Sequence, residues 1–232
     1  MKMLLTSYGL HNATLVSALA DMMPKPFSEA AVIVVLDATV GLSGDKGWFL
    51  ADFDRLRQLG WREMDLIDLA SLPPEATRDR LQYADVIYVE GGEEQHLARV
   101  FLERDDLVEL FRKLLEEKVY VGVSAGSMIF SRRFDRRAEK IFSRPADLGY
   151  DDNPIVASPP FGLFDWLIKP HLHGVYFPEQ DDAWADGIAA LADFPIYFLD
   201  DDSAIRVQGE AGREVTDVVS EGQWRLHDGR TL

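Results

Sequence analysis

The most informative segment of the chain is Val119-Tyr120-Val121-Gly122-Val123-Ser124-Ala125-Gly126. Its first five residues are mostly apolar and β-favouring, which predicts a buried strand over Val119–Val123, and the residues from Ala125 to Phe130 predict the start of a helix. The pattern Gly-x-Ser-x-Gly is typical of a sharp strand-to-helix turn that exposes a serine hydroxyl above the carboxyl edge of a sheet. Ser124 is therefore a candidate nucleophile, although a serine that only caps the helix fits the same turn.

Strand and helix patterns alternate along the first two-thirds of the chain, which predicts an α/β domain with a mostly parallel central sheet flanked by helices. Further strands are predicted at residues 3–7, 31–36, 64–67, 85–89 and 166–168, and helices at 48–59, from Asp106 onward with a capping box to Glu109, and at 178–191. Short β-type runs from Ile196 onward predict a β-rich C-terminal tail. No repeat or linker is evident, so residues 1–232 are expected to form a single domain.

A second turn signal follows another predicted strand. Residues 85–89 lead into Glu90-Gly91-Gly92, after which residues 95–101 have a helical pattern. A glycine pair at the carboxyl end of a strand lets backbone N–H groups approach a ligand, and ligands of open α/β sheets bind at that edge. We therefore expect Gly92 to donate its N–H beside that of Ala125 to an oxyanion. A simple strand-to-helix turn fits the glycine pair equally well.

A histidine at the same edge could supply the base that a serine nucleophile needs. The segment Ile168-Lys169-Pro170-His171 places His171 just past a predicted strand. There the imidazole can accept the proton of Ser124 during attack on a carbonyl. His173 leaves open a His-x-His metal pair, and a buried structural histidine is a third alternative. The sequence offers no evident third metal ligand, so neither a metal nor a cofactor is expected.

Composition and charge exclude several classes of protein. Of the 232 residues, 47% are hydrophobic and 28% are charged, which is ordinary for a globular protein. The net charge of −16 would be repelled by a phosphate backbone, so nucleic acid is not an expected partner. No apolar run approaches the ~18 residues of a membrane span, and the lack of cysteine excludes disulfides and cysteine nucleophiles. The N-terminal apolar stretch is too short for a signal peptide, so a cytoplasmic location is expected.

On these motifs, the sequence resembles the peptidase E family of serine peptidases, which includes the α-aspartyl dipeptidases and cyanophycinases. The resemblance extends from Leu4-Leu5-Thr6-Ser7-Tyr8-Gly9 through Gly91-Gly92 and the Ser124 turn to Pro170-His171 and Leu199-Asp200-Asp201-Asp202. It implies a three-layer, class I glutamine amidotransferase-like (flavodoxin-like) fold, with Ser124 as nucleophile, His171 as base, and Gly92 with Ala125 as oxyanion hole. Amidotransferases of this fold use a cysteine at the turn, so the lack of cysteine excludes their glutaminase chemistry.

The resemblance also implies an acid that orients His171 and residues that touch the substrate. In the dipeptidases an acid follows the nucleophile by about fifteen residues, and this interval points to Glu139. Asp201 and Asp135 are the alternatives. Gly91 and Glu93 are expected at the substrate. Relatives carry Asn-Thr or Asp-Gln after the glycine pair, whereas this chain has Glu93-Glu94. Two carboxylates at that position would repel an acidic substrate side chain.

A basic run follows the predicted helix that begins after Ser124. Residues 132–144 hold six basic side chains and only two acidic ones; the basic ones are Arg132, Arg133, Arg136, Arg137, Lys140 and Arg144. Arg133 and Arg137 are four residues apart and would share a helix face, so they are candidates to bind a substrate carboxylate. A solvated face that pairs with acids elsewhere is the alternative.

The sequence thus predicts a serine hydrolase that cleaves an amide bond in a small peptide, as a dipeptidase does, and that is a monomer or a homodimer. A non-hydrolytic protein that binds a small ligand, or acts as a scaffold, is the alternative from another class. An esterase with the same machinery is a third possibility.

Overall fold

The computed structural model describes residues 1–134, 156–210 and 212–229. These residues contain ten strands: β1 (Lys2–Thr6), β2 (Ala31–Val35), β3 (Glu63–Ile67), β4 (Val86–Val89), β5 (Val119–Val123), β6 (Leu167–Lys169), β7 (Pro195–Leu199), β8 (Ser203–Gln208), β9 (Val215–Ser220) and β10 (Trp224–Asp228). They also contain eight α-helices: α1 (Ala13–Met22), α2 (Asp37–Gly41), α3 (Gly47–Gln58), α4 (Pro74–Tyr83), α5 (Glu94–Glu103), α6 (Asp105–Glu117), α7 (Ala125–Met128) and α8 (Asp182–Ala189).

A seven-stranded sheet with the order β3-β2-β4-β5-β1-β8-β9 forms the middle layer. Its first five strands are parallel, and β8 and β9 continue it beside β1 in antiparallel pairing. Strands β2 and β5 are buried along their whole length, as expected for parallel strands that are covered on both faces. This confirms the predicted α/β class with a mostly parallel sheet.

Two apolar cores cover the two faces of the sheet. One face packs against α1 and α3, through residues such as Leu19 and Leu56. The other face packs against α4 to α7, through residues such as Leu81, Phe101 and Phe111. The three layers follow from alternate strand side chains pointing to opposite faces. No helix within the described ranges is long and apolar enough to cross a membrane.

The C-terminal β-rich part is divided between two sheets. Strands β8 and β9 extend the central sheet, whereas β7 pairs with β6 and β10 in a separate three-stranded sheet. The small sheet has its own core with α8, which includes Phe194 and Phe198. The predicted tail is therefore an integral part of both sheets, because its strands alternate between them along the chain.

Two helices begin with a different cap from the one that the sequence predicts. Helix α6 begins at Asp105, and the Asp106 carboxylate pairs with Arg104, so the predicted capping box is not formed. Helix α8 begins at Asp182 rather than at residue 178, because Asp181 caps it by accepting the Trp184 N–H at 2.8 Å. Helices α1, α2 and α4 were not among the predicted elements.

One edge of the central sheet gathers the turns that the sequence singles out. The pairs Thr6↔Val123 and Val89↔Gly122 align the ends of β1, β4 and β5. The residues that follow these three parallel strands therefore lie side by side at their carboxyl ends, which is where open α/β sheets bind ligands.

Candidate functional site

Ser124 lies on a strained turn between β5 and α7. Its backbone has φ 47° and ψ −106°, a region that L-residues avoid. The turn is tight enough to require the flanking glycines. A Cβ on Gly122 would lie 2.6 Å from the Gly126 carbonyl oxygen, and a Cβ on Gly126 would overlap the carbonyl oxygen of Val89. The Ser124 N–H donates to Thr6 O at 3.0 Å, which fastens the turn to β1.

His171 directs its ring at Ser124 from the loop that follows β6. Its Nε2 lies 2.9 Å from the Ser124 Oγ, within hydrogen-bond distance. The imidazole is 7% exposed and stacks on Phe177, with ring centroids 4.5 Å apart and planes 7° from parallel. Tyr8 presents an edge-on contact, with its centroid 6.1 Å from that of His171. These rings hold the imidazole in one orientation.

Asp201 contacts the opposite nitrogen of that ring. Its Oδ1 lies 2.8 Å from His171 Nδ1. A proton on Nδ1 can donate to this carboxylate and leave the Nε2 lone pair directed at the Ser124 hydroxyl. Asp201 occupies the position for which the resemblance favoured Glu139. Both Glu139 and Asp135 lie outside the described residues.

The loops that carry His171 and Asp201 are joined by backbone bonds. Leu172 N donates to Leu199 O at 2.9 Å, which ties the loop after β6 to the end of β7. Asp201 follows that end by two residues, so this bond brings its carboxylate to the imidazole. This end of the small sheet therefore carries both His171 and Asp201, and the His171 ring reaches Ser124 at the edge of the central sheet.

The glycine pair lies directly against the Ser124 turn. A Cβ on Gly91 would be 3.3 Å from the Ser124 Cβ, a tighter contact than most side chains make. Gly92 has φ 136°, and a Cβ there would overlap the Ala38 carbonyl. Glycine is thus required at position 92 both by conformation and by space. Ala125 is the first residue of α7, so its N–H has no partner within the helix.

Glu93 serves the helix that follows the glycine pair. It is the N-cap of α5, and its carboxylate accepts the His96 N–H. The side chain is 7% exposed. Burial, together with the neighbouring Glu94, raises the pKa of Glu93 to about 7. The Glu93 carboxylate therefore has a capping role, and its contact with a substrate stays a prediction.

The basic run contributes no described side chain to this site. The Arg133 guanidinium lies over the ring of Phe194, 5.6 Å from its centroid. Phe194 directly precedes β7, and Leu199, at the other end of that strand, lies beside Asp201 and His171. At the usual rise per residue of a strand, Phe194 and Leu199 are about 16 Å apart. Arg133 thus packs on Phe194 in this structure, and its role in substrate binding stays a prediction. Arg132 pairs with Asp165 at 3.0 Å, and Arg137 lies outside the described residues.

The two histidines considered as a metal pair are turned to different partners. His171 faces Ser124 and Asp201, whereas the Nε2 of His173 lies 3.6 Å from Asp182. Within the ranges that the structure describes, no group of three or more His, Asp or Glu side chains is arranged to hold a metal ion.

Sequence reasoning did not assign roles to Ser7, Tyr8 or Phe177, all of which touch His171. Ser7 Oγ accepts the His171 N–H at 2.9 Å. The sequence could have indicated Ser7 and Tyr8, because both directly follow β1 at the carboxyl edge of the sheet, where the Ser124 turn and the glycine pair also lie. Nothing in the sequence around Phe177 indicates its stacking on the imidazole.

Comparison with known families and structures gives consistent matches. A model of peptidase family S51 matches residues 3–215. A crystal structure of a protein from Listeria monocytogenes EGD-e, named for peptidase E, shares 20% identity, with a TM-score of 0.70 over 94% of this chain and 98% of that one. A peptidase from an acI-B1 Actinobacterium shares 15% identity, with a TM-score of 0.66 over 99% of this chain and 91% of that one. Comparison with the curated proteins gives no match.

Proposed function

Because the chain belongs to peptidase family S51, we propose that it is a serine peptidase that cleaves an amide bond in a small peptide through Ser124, His171 and Asp201. The observation that carries the proposal is the continuous line from Ser124 Oγ through the imidazole to Asp201, with distances of 2.9 and 2.8 Å. A nucleophile, its base and an orienting acid in this arrangement constitute a catalytic triad.

The reaction proceeds in two acyl-transfer steps. Ser124 Oγ attacks the carbonyl carbon while its proton moves to His171 Nε2, and the N–H groups of Gly92 and Ala125 stabilise the oxyanion. The imidazolium then protonates the departing amine as the C–N bond breaks, which leaves an ester on Ser124. Water attacks that ester and gives a proton to His171, which then returns it to Ser124 Oγ as the C–O bond breaks, so that the acid leaves and the free serine and neutral imidazole are restored. Asp201 stabilises the imidazolium in both steps.

The alternative, a binding protein without hydrolytic activity, drew its support from two features of the sequence: the lack of an evident acid and the pair Glu93-Glu94. Asp201 supplies an acid at the His171 ring, and the Glu93 side chain has another function as the cap of α5. Both contacts favour the hydrolase. A cytoplasmic location, a small-peptide substrate and a monomeric or homodimeric state stay predictions from the sequence.

A substrate screen with a nucleophile variant tests the proposal. Wild-type protein is incubated with Asp-X, β-aspartyl, neutral and Arg-containing dipeptides, with a simple ester, and with a fluorophosphonate probe that labels activated serines. We expect peptide cleavage and a covalent label on Ser124. In Ser124→Ala, turnover should fall by several orders of magnitude with a nearly unchanged melting temperature.

A matched control separates the effect of losing the nucleophile from the effect of losing any buried serine hydroxyl. Ser131 is also buried, and its hydroxyl accepts the Arg133 N–H at 3.0 Å, so Ser131→Ala removes a comparable group away from His171. Cleavage that survives in Ser124→Ala would overturn the proposal. Dipeptide binding by a wild-type protein that neither cleaves nor takes the label would assign the binding function instead.

A further inference from the structure

We infer that Ser7 is a positioning residue that fixes His171 and Asp201 relative to each other, an inference that rests on the proposed function of the triad. Ser7 is fully buried directly after β1, where it contacts the backbone of His171. Its hydroxyl oxygen accepts the backbone N–H of His171 at 2.9 Å and lies 3.4 Å from Asp201 Oδ1. One buried hydroxyl thus touches both residues that prepare the nucleophile.

The hydroxyl proton of Ser7 has two acceptors within reach, and Asp201 is the better one. Leu199 O and Asp201 Oδ1 both lie 3.4 Å from Ser7 Oγ. Each oxygen already has one other partner: Leu199 O accepts the N–H of Leu172 at 2.9 Å, and Asp201 Oδ1 lies 2.8 Å from the His171 ring. The Asp201 carboxylate is charged, and a charged acceptor makes the stronger hydrogen bond. Ser7 therefore donates to the same oxygen that the His171 ring contacts.

The backbone of His171 makes this anchor important. His171 has φ 68°, a left-handed conformation that costs free energy for any residue other than glycine. Without an acceptor for its buried N–H, the loop can relax toward an ordinary conformation, and the ring would move away from Ser124 Oγ. Ser7 holds the strained residue from the backbone side while Asp201 holds it from the ring side. The geometry is thereby fixed before substrate arrives.

Kinetics of two Ser7 variants test the inference. Ser7→Ala removes the hydroxyl. Ser7→Cys nearly conserves the side-chain volume but replaces the hydroxyl with a thiol, which forms only weak hydrogen bonds. The cysteine variant is used if the alanine variant does not fold. For each folded variant we expect kcat to fall about 10- to 100-fold, as for loss of a hydrogen bond to a charged group. KM should stay within about twofold, because Ser7 is fully buried and so does not contact the substrate. The rate of fluorophosphonate labelling should fall in parallel with kcat.

A spectroscopic measurement keeps the inference testable apart from activity. In protein with isotope-labelled histidine, the Nδ1–H of His171 should give a downfield proton resonance that is identified by its loss in Asp201→Asn. Ser7→Ala or Ser7→Cys should shift or broaden this resonance, whereas Ser131→Ala should not. An unchanged resonance, an unchanged kcat, or an equal loss of kcat in Ser131→Ala would overturn the role of Ser7.

The same experiments separate this inference from the proposed function. A wild-type protein that cleaves no peptide and takes no label refutes the serine peptidase, and the histidine resonance then still decides whether Ser7 orders the pair. A wild-type protein that is labelled at the same rate as its Ser7 variants refutes the role of Ser7 alone.

Discussion

At the scale of single residues, backbone strain coincides with the proposed chemistry. Among the described residues, three other than glycine have positive φ: Ser124, His171 and His173. The first two form the central contact of the triad. Such conformations persist only where the surrounding structure enforces them, and they are enriched at active sites. Here β5, α7 and the hydrogen bonds to Thr6 and Ser7 supply that enforcement.

Replacement of Ser124 measures the strain. Ser124→Gly and Ser124→Ala both remove the hydroxyl, but only glycine, which has no Cβ, adopts φ 47° and ψ −106° without strain. We expect Ser124→Gly to be about 1 kcal/mol more stable than Ser124→Ala, which corresponds to roughly 2–4 °C in melting temperature. Thermal denaturation of both variants is the measurement. An equal or lower melting temperature for the glycine variant would show that the turn stores no strain at this residue.

The raised pKa of Glu93 makes stability depend on pH. Its folded-state pKa is about 7, above the ordinary value of 4.5, so the folded protein binds more protons than the unfolded chain between these two values. Burial of Glu93 therefore costs no stability below about pH 4.5, where its carboxyl is protonated in both states. The free energy of unfolding then falls as pH rises toward 7. In Glu93→Gln the side chain cannot ionise, and its amide oxygen can still cap α5. We expect this variant to gain stability relative to wild type from pH 5 to pH 8.

Melting temperatures of the two proteins at several pH values check this expectation. The difference between variant and wild type isolates Glu93, because other buried acids such as Asp37 titrate equally in both proteins. The full effect is on the order of 3 kcal/mol, from the shift in pKa. Parallel curves across this pH range would show that Glu93 ionises as an exposed glutamate does.

At the scale of elements, the turn between β7 and β8 carries three aspartates with three different contacts. Asp200 accepts the Asp202 N–H at 3.2 Å, Asp201 contacts the His171 ring, and Asp202 accepts the Asn12 side-chain amide at 3.1 Å. Consecutive residues of a turn point in different directions, so only the middle carboxylate reaches the imidazole.

This turn yields a test of the triad acid. In Asp201→Asn the side chain keeps its size, but its amide can donate to Nδ1 and so favour the tautomer that cannot accept the Ser124 proton. We expect kcat to fall by about 10³- to 10⁴-fold, as for comparable replacements in other triads. Steady-state kinetics on the best dipeptide from the screen is the measurement.

Two further variants serve as controls for Asp201. Asp202→Asn removes the neighbouring charge and should change kcat by less than about threefold, since Asp202 does not touch His171. Glu139→Gln tests the acid that the family resemblance favours. A large loss of kcat in Glu139→Gln, with an active Asp201→Asn, would return the role to Glu139.

The strands, and the places of Ser124 and His171 in the candidate site, could be predicted from the sequence for local reasons. Apolar runs such as β2 and β5 are short and continuous, and the Ser124 and His171 motifs each follow a strand directly. The acid was left open among three candidates because no local pattern distinguishes them. Asp201 is selected by the bond between Leu172 and Leu199, which joins segments far apart in sequence. Helix α1 carries an amphipathic pattern after Asn12, so its absence from the prediction reflects an overlooked signal.

At the scale of the whole molecule, the excess of acidic residues sets the field that a substrate meets. The net charge is −16, and several arginines are already paired with aspartates, as in Arg80 with Asp65 and Arg206 with Asp217. The candidate edge itself carries the aspartate turn after β7. A diffusing anion is therefore repelled and a cation attracted, over a distance that salt controls: about 30 Å at 0.01 M and 8 Å at 0.15 M.

This field predicts opposite salt effects on substrates of opposite charge. For Ala-Glu, Ala-Gln and Ala-Lys, which differ mainly in side-chain charge, we expect kcat/KM between 0.01 and 0.15 M salt to rise several-fold for Ala-Glu, change little for Ala-Gln and fall for Ala-Lys. Initial rates at substrate concentrations below KM measure this directly. Equal slopes would show that the charges are too distant to act. A fall for Ala-Glu would instead reveal a cation at the substrate, with Arg137 as the first residue to replace, because a local arginine attracts the carboxylate more strongly than the distant acids repel it.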